Sequence, residues 1–204
     1  MFGKIKNPDW AYLEKYKNEN AQIISQPFEE NRIVFFGDSI IAGWSIYDNK
    51  TYINRGINGQ TTSQMLIRFR PDVINLKPET VVVLAGTNDI AGNTGLITLE
   101  TILGNLKSMC ELAKTNNIKV VLSSILPATD YPWSKGIKPA EKIETLNAMI
   151  QHYAKANDIV YVDYYSAMAD EQKGLKLIYS DDGVHPNQEG YFIMKSILES
   201  TISM

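Results

Sequence analysis

The sequence predicts an α/β domain of the doubly wound kind, a parallel sheet with helices on both faces, and three observations predict it. Short β-branched runs recur along the chain, each followed by a segment with helical character. The run Thr80–Ala85 (TVVVLA) is apolar on consecutive rather than alternate residues, as expected when helices cover both faces of a parallel sheet. No internal repeat, low-complexity tract or Pro/Gly/Ser linker divides the 204 residues. One domain over 1–204 is therefore expected, with residues 1–30 as an N-terminal helical extension packed on it. A chain of this length buries roughly 70% of the surface its unfolded form exposes and needs no crosslinks to hold a core.

In chain order, a helix near Asp9–Asn20 precedes the first strand, Arg32–Phe36 (RIVFF). Further strands are expected at Thr51–Asn54 (TYIN), Thr80–Ala85, Lys119–Ser124 (KVVLSS) and Ile159–Asp163 (IVYVD). Between them, Thr62–Arg70 reads as a short helix stopped by Pro71. Thr98–Asn116 carries Leu99, Ile102, Leu103, Leu106, Met109, Cys110 and Ala113 at spacings of three and four, the stripe of an amphipathic helix. Ala140–Asn157 begins behind Pro139, and Asn187–Ser200 follows Pro186 and closes the chain. Strands alternating with helices imply right-handed crossovers. In such sheets ligands bind beyond the carboxyl ends of the strands, so function is expected just after each strand.

Composition narrows the function before any motif is read. With 20 Lys+Arg against 23 Asp+Glu the net charge is −3, which argues against a nucleic-acid partner, because phosphate binding needs concentrated positive charge. A single cysteine, Cys110, removes intrachain disulfides, CxxC motifs and thiolate metal cages. Only two histidines, His152 and His185, are available, so a metal centre built on imidazoles would use nearly the whole supply. No metal and no cofactor is expected. No stretch approaches the ~18–20 apolar residues of a membrane span. Lys4 and Lys6 are followed by no apolar run, so the sequence as it stands reads as cytoplasmic, or as secreted or periplasmic if a leader was removed.

The strand ends hold the chemistry. Gly37-Asp38-Ser39 follows the first strand, and Gly59 lies in the turn after the second. Gly86-Thr87-Asn88-Asp89 follows the third, and Asp181-Asp182-Gly183-Val184-His185-Pro186 lies past the fifth. A serine hydroxyl becomes a nucleophile when a base takes its proton during attack, and imidazole suits that task. His185 could be that base, and Asp182, three residues earlier, could orient its ring and stabilise the imidazolium. The oxyanion then formed needs preset donors. The backbone N–H of Gly59, the side-chain amide of Asn88 and the backbone N–H of Ser39 are the candidates.

The four segments resemble the blocks of the GDSL (SGNH) hydrolases: Gly37-Asp38-Ser39, Gly59, Gly86-Thr87-Asn88-Asp89 and Asp182-Gly183-Val184-His185. Each block alone is weak; the ordered set is specific. The departure is Ile40, where the family name has leucine. The resemblance implies an SGNH fold, a flavodoxin-like three-layer sandwich around a five-stranded parallel sheet. It also implies ester hydrolysis without a metal, Ser39, Asp182 and His185 as the catalytic set, and an oxyanion hole from Ser39, Gly59 and Asn88. The chain looks like the small bacterial acylhydrolases related to the platelet-activating-factor acetylhydrolase type. That implies a short acyl group on an acylated sugar, a lysophospholipid or a simple ester. An acyltransferase using the same residues is the alternative.

Other residues have plainer readings. Ser39 taken singly could simply cap a helix, and Gly59 and Asn88 could be turn residues, a role compatible with aiming donors. Asp38 and Asp89 read as structural acceptors in their turns, His152 as a helix surface residue and Cys110 as core. Arg55 could meet a substrate oxygen, although an ion pair with a carboxylate is the reading preferred. Trp44 and Tyr47 after the nucleophile, and Tyr131 and Trp133 in the loop Pro127–Pro139, are candidate pocket aromatics; the competing reading has them cover the core edge. Asp38, Asn88, Asp89, Asp182 and His185 contain hard metal ligands, so a metal-dependent phosphoesterase is a rival, weakened by the shortage of histidine. No G-x-G, P-loop or G-x-S-x-G occurs, which excludes dinucleotide, phosphate-loop and α/β-hydrolase readings.

Overall fold

The computed structural model describes residues 9–27, 29–45 and 50–202. Within them run α1 (Lys17–Ser25), β1 (Ile33–Gly37), α2 (Ser39–Ala42), β2 (Tyr52–Gly56), α3 (Thr62–Asp72), β3 (Thr80–Leu84) and α4 (Thr87–Ile90). They are followed by α5 (Leu99–Thr115), β4 (Lys119–Ser123), α6 (Ala140–Ala156), β5 (Val160–Val162), α7 (Tyr164–Met168) and α8 (Gln188–Ile202). The strands form one parallel sheet in the order β2-β1-β3-β4-β5, the flavodoxin-like arrangement.

Both faces of the sheet are apolar, which is why its strands read as unbroken hydrophobic runs. Val34, Phe36, Val81, Val83 and Leu122 point to one side, against Met65 and Phe69 of α3, Ile102 and Leu106 of α5, and Ile143 and Leu146 of α6. Their sequence neighbours Ile33, Phe35, Val82, Leu84 and Val121 point to the other, against Ile40 and Ile41 of α2, Tyr164 of α7, and Met194 and Leu198 of α8. Each such side chain, fully buried, stabilises the fold by about 1.5–3 kcal/mol relative to exposure.

The strand order places the chemistry. The chain leaves β1 for β2 on one side and returns to β3 on the other, so a crevice opens beyond the carboxyl ends of β1 and β3. A fully buried arginine, Arg68 on α3, fastens this region. It donates to the carbonyls of Gly37 and Arg55 at the ends of β1 and β2, both at 2.9 Å, and to Asp72 Oδ2 at 3.0 Å. It also bonds Gln60 Oε1 and lies over the Phe36 ring.

The helices depart from expectation in three places. The first helix was expected near Asp9–Asn20, but α1 begins at Lys17. The carboxylate of Asp9 instead captures the N–H groups of Leu13 and Glu14, and Tyr12 adopts a left-handed φ of 58°, which no helix interior accepts. Pro71 does not stop α3, which runs to Asp72; a proline this close to the end removes only one helical hydrogen bond. The single-turn helices α2, α4 and α7 follow β1, β3 and β5 directly. They are too short to show periodicity and begin at local caps: Asp38 for α2 and Asp163 for α7, with Gly86 opening α4.

Candidate active site

Ser39 is the first residue of α2, directly after β1 and its cap Asp38, whose Oδ1 accepts the N–H of Ile40 at 3.0 Å. Its Oγ lies 3.0 Å from His185 Nε2. His185 stands on the turn before α8, and its Nδ1 lies 2.7 Å from Asp182 Oδ2. The D-x-x-H spacing works because Asp182 folds the turn around itself: its other oxygen accepts the backbone N–H groups of Val184 at 2.9 Å and His185 at 2.8 Å. Ser180 completes the turn, donating to Asp182 Oδ1 and accepting the N–H of Gly183.

The electrostatics fix the proton positions. Burial acts to raise the pKa of Asp182, but the His185 ring N–H and the two backbone N–H groups outweigh it and hold the carboxyl down at about 2. An ionised carboxylate only accepts, so Nδ1 of a neutral His185 carries the hydrogen. The lone pair on Nε2 then faces the Ser39 hydroxyl, the arrangement a general base requires.

The three expected oxyanion donors lie around the same crevice, on the segments that follow β1, β2 and β3: Ser39 in α2, Gly59 in a turn and Asn88 in α4. Among the described residues, the backbone N–H groups of Ser39 and Gly59 have no protein partner. Gly59 adopts φ +76°, a conformation that side chains rarely accept. Asn88, in α4, donates through Nδ2 to Asp38 Oδ2 at 3.1 Å and accepts through Oδ1 from Asn93 Nδ2 at 2.8 Å. One Nδ2 hydrogen of Asn88 is left uncommitted. Asp38 is fully buried, and burial pushes its carboxyl up to about 6 against the opposing effects of the Ile40 N–H, His185 and Asn88. Asp89 is likewise raised to about 6 by burial; it holds the start of α3 by accepting from the N–H and hydroxyl of Thr62.

The remaining sequence candidates separate cleanly. Trp133 is at the rim, 44% exposed, with its ring 5.9 Å from that of His185. Tyr131 is buried beneath it, the two rings 5.1 Å apart. Trp44, expected as a pocket aromatic, is in the core: α2 turns the chain inward, and the indole packs on Phe35 and Tyr191. Tyr47 lies outside the described residues. Arg55 forms an ion pair with Glu19 at 3.4 Å and bonds Asn20. Cys110 is buried, and burial pushes its thiol up to about 12. His152 is exposed on α6. Among the described residues, no three His, Cys, Asp or Glu side chains gather as a metal site.

Two features escaped the sequence reading. A cleft of about 850 Å³ opens beside Ser39 and His185, and its far wall is Tyr12, Lys15 and Tyr16, from the segment before α1. Asn93, just past α4, joins Gly59, Asn88 and Trp133 through its side-chain amide. Neither carries a local signal, since each depends on contacts with residues remote in sequence.

Comparison with known proteins shows the family and the fold. The profile of the GDSL-like Lipase/Acylhydrolase family matches residues 35–193. The chain belongs to that family. A crystal structure of a GDSL-like lipase from Bacteroides thetaiotaomicron is 49% identical, with a TM-score of 0.90 over 95% of this chain and 98% of that one. A candidate acylhydrolase from Bacteroides fragilis is 46% identical, with a TM-score of 0.92 over 97% and 98%. Platelet-activating factor acetylhydrolase IB subunit alpha2 of Gallus gallus is 29% identical over 139 residues, 63% of this chain and 55% of that protein. The chain spans about half the length of the curated relatives it first matches. The wall formed by Tyr12, Lys15 and Tyr16 falls outside the residues matched to the family. Among the described residues, no helix is long and apolar enough to cross a membrane.

Proposed function

We propose that this GDSL-family protein hydrolyses carboxylic esters through an acyl-enzyme on Ser39. The observation that carries the proposal is the unbroken relay from Ser39 Oγ to His185 Nε2 at 3.0 Å and from His185 Nδ1 to Asp182 Oδ2 at 2.7 Å.

In the first half-reaction, Ser39 Oγ attacks the ester carbonyl carbon while its proton passes to His185 Nε2. The carbonyl electron pair moves to oxygen. The N–H groups of Ser39 and Gly59 and the free Nδ2 hydrogen of Asn88 receive the charge. Asp182, ionised well below neutrality, stabilises the imidazolium without taking its proton. Collapse breaks the bond to the alcohol oxygen, which leaves with the proton held on Nε2. In the second half-reaction, water gives a proton to His185 and attacks the acyl carbon. Ser39 Oγ departs, recovers the proton, and the acid is released.

A short acyl group is the substrate reading we favour, supported by the acetylhydrolase name of the Gallus gallus relative. The alcohol portion, whether of an acylated sugar, a lysophospholipid or a simple ester, would occupy the cleft that runs from Ser39 and His185 to Tyr12, Lys15 and Tyr16.

A p-nitrophenyl ester series from acetate to decanoate tests the proposal. Wild-type activity should be greatest on the short esters, and Ser39→Ala should lower turnover by at least ~10³, because such residues act as a unit. Residual activity above a tenth of wild type would remove Ser39 from the mechanism.

A further inference from the structure

We propose that Asn93 is a positioning residue that sets the oxyanion donors and couples them to Trp133 beside His185. This proposal rests on the esterase reading above. Three hydrogen bonds radiate from one amide: Asn93 Nδ2 donates to Gly59 O at 3.1 Å and to Asn88 Oδ1 at 2.8 Å, and Asn93 Oδ1 accepts from Trp133 Nε1 at 3.0 Å. Both amide hydrogens are committed.

The orientation of this network is forced by donor and acceptor chemistry. An indole N–H can only donate, so the group of Asn93 facing Trp133 must be its oxygen. Its NH₂ then faces Asn88 and Gly59. Asn88 must in turn present oxygen to Asn93 and nitrogen to Asp38, whose Oδ2 lies 3.1 Å from Nδ2. The reverse rotamer of Asn88 would set nitrogen against nitrogen at one end and oxygen against carboxyl oxygen at the other. The one remaining Asn88 hydrogen is thereby directed rather than left to rotate. The bond to the Gly59 carbonyl restrains a left-handed glycine whose own N–H is a second oxyanion donor. The same indole lies 5.9 Å from the His185 ring, so a single rim aromatic adjoins the base and orders the donors.

Asn93 is exposed, so its side chain can be changed without opening the core. In Asn93→Asp, a carboxylate oxygen would face the Asn88 and Gly59 oxygens and reverse the polarity of the contact. Loss of a single oxyanion donor costs about 10²–10³ in turnover, and misaiming should cost a part of that. On p-nitrophenyl acetate we expect kcat to fall by ~30-fold or more in Asn93→Asp and by ~10-fold in Asn93→Ala, with KM within about twofold. Affinity for a trifluoromethyl ketone, whose serine adduct bears the oxyanion, should fall in parallel with kcat/KM. Trp133→Phe keeps the ring, loses the indole donor and should lower kcat by a smaller factor of ~3–10. It also keeps the proposal testable should the aspartate variant fail to fold, as judged by its thermal midpoint.

Ser39→Ala is assayed beside them. If it is inactive while Asn93→Asp and Trp133→Phe keep kcat within about twofold of wild type, or lose only KM, the positioning role is overturned and the esterase reading survives. If Ser39→Ala stays active, the esterase reading falls and the proposal with it.

Discussion

Two carboxylates lie within one hydrogen bond of the groups that would do the chemistry, and their pKa values are shifted in opposite directions. Asp182 sits on the rim with 44% of its side chain exposed and receives the His185 ring N–H and two backbone N–H groups. Its carboxyl is held at about 2. Asp38 lies on the floor of the crevice, fully buried, with the Ile40 N–H and the Asn88 amide on its oxygens, and is pushed up to about 6. Asp89, also on the floor, behaves as Asp38 does. Burial acts in the same direction on all three; the outcome depends on whether the donors outweigh it. The rim thus keeps a negative charge where the proposed mechanism forms an imidazolium, and the floor uses carboxyls as acceptors that fix geometry.

The largest effect should come from removing the rim charge. In Asp182→Asn the partner of His185 Nδ1 can be an amide N–H, which favours the tautomer with its hydrogen on Nε2, facing Ser39. Loss of the oriented base and of imidazolium stabilisation should lower kcat by about 10²–10⁴. Steady-state kinetics on p-nitrophenyl acetate would measure it, with circular dichroism to confirm folding. A loss under tenfold would mean that the charge at Asp182 is dispensable.

The floor should respond to pH instead. A carboxyl with a higher pKa in the folded than in the unfolded state binds its proton more tightly when folded. The stability contributed by Asp38 is therefore complete below its ordinary value of 3.8 and is lost as pH rises through about 6. A shift of this size corresponds to about 2–3 kcal/mol. Asparagine does not titrate, so the stability of the wild type relative to Asp38→Asn should decline by about 2–3 kcal/mol across that window, followed by urea unfolding. Asp182 contributes the opposite slope: its stabilisation is present above 3.8 and is lost as pH falls through about 2. A pH-independent gap between wild type and Asp38→Asn would erase the contrast between floor and rim.

How much of this was legible in the sequence follows from range. The five strands could be read because burial on both faces makes Val81–Val83 and Phe35–Phe36 apolar without interruption. Of the residues brought to one crevice, Ser39, Gly59 and Asn88 were readable because each sits in a short block just after a strand, and Asp182 and His185 because they share one short block before α8. Tyr12 disrupted the expected first helix through a left-handed angle that no pattern announces. Trp44 takes the core rather than the pocket reading because a single helical turn, invisible to periodicity, carries it inward. Asn93 stayed hidden because its meaning lies 34 residues away at Gly59 and 40 away at Trp133, distances that only the fold closes.

The smallest effect separates open rim from packed floor most sharply. Gly59 and Gly86 both have positive φ, +76° and +127°. A Cβ at Gly59 would meet nothing nearer than Asn93 Nδ2 at 3.7 Å, whereas at Gly86 it would meet Ile125 Cδ1 at 2.6 Å. Gly59→Ala should therefore add only backbone strain, a loss of ~1–2 kcal/mol in urea unfolding. Its kcat should fall less than about tenfold, since the restrained carbonyl keeps the loop in place. Gly86→Ala carries the same kind of strain and must also displace Ile125 from the core, so its stability loss should be clearly larger. Equal losses at the two glycines would show that strain alone governs both. The packing of the floor would then contribute nothing to holding Asn88 in position.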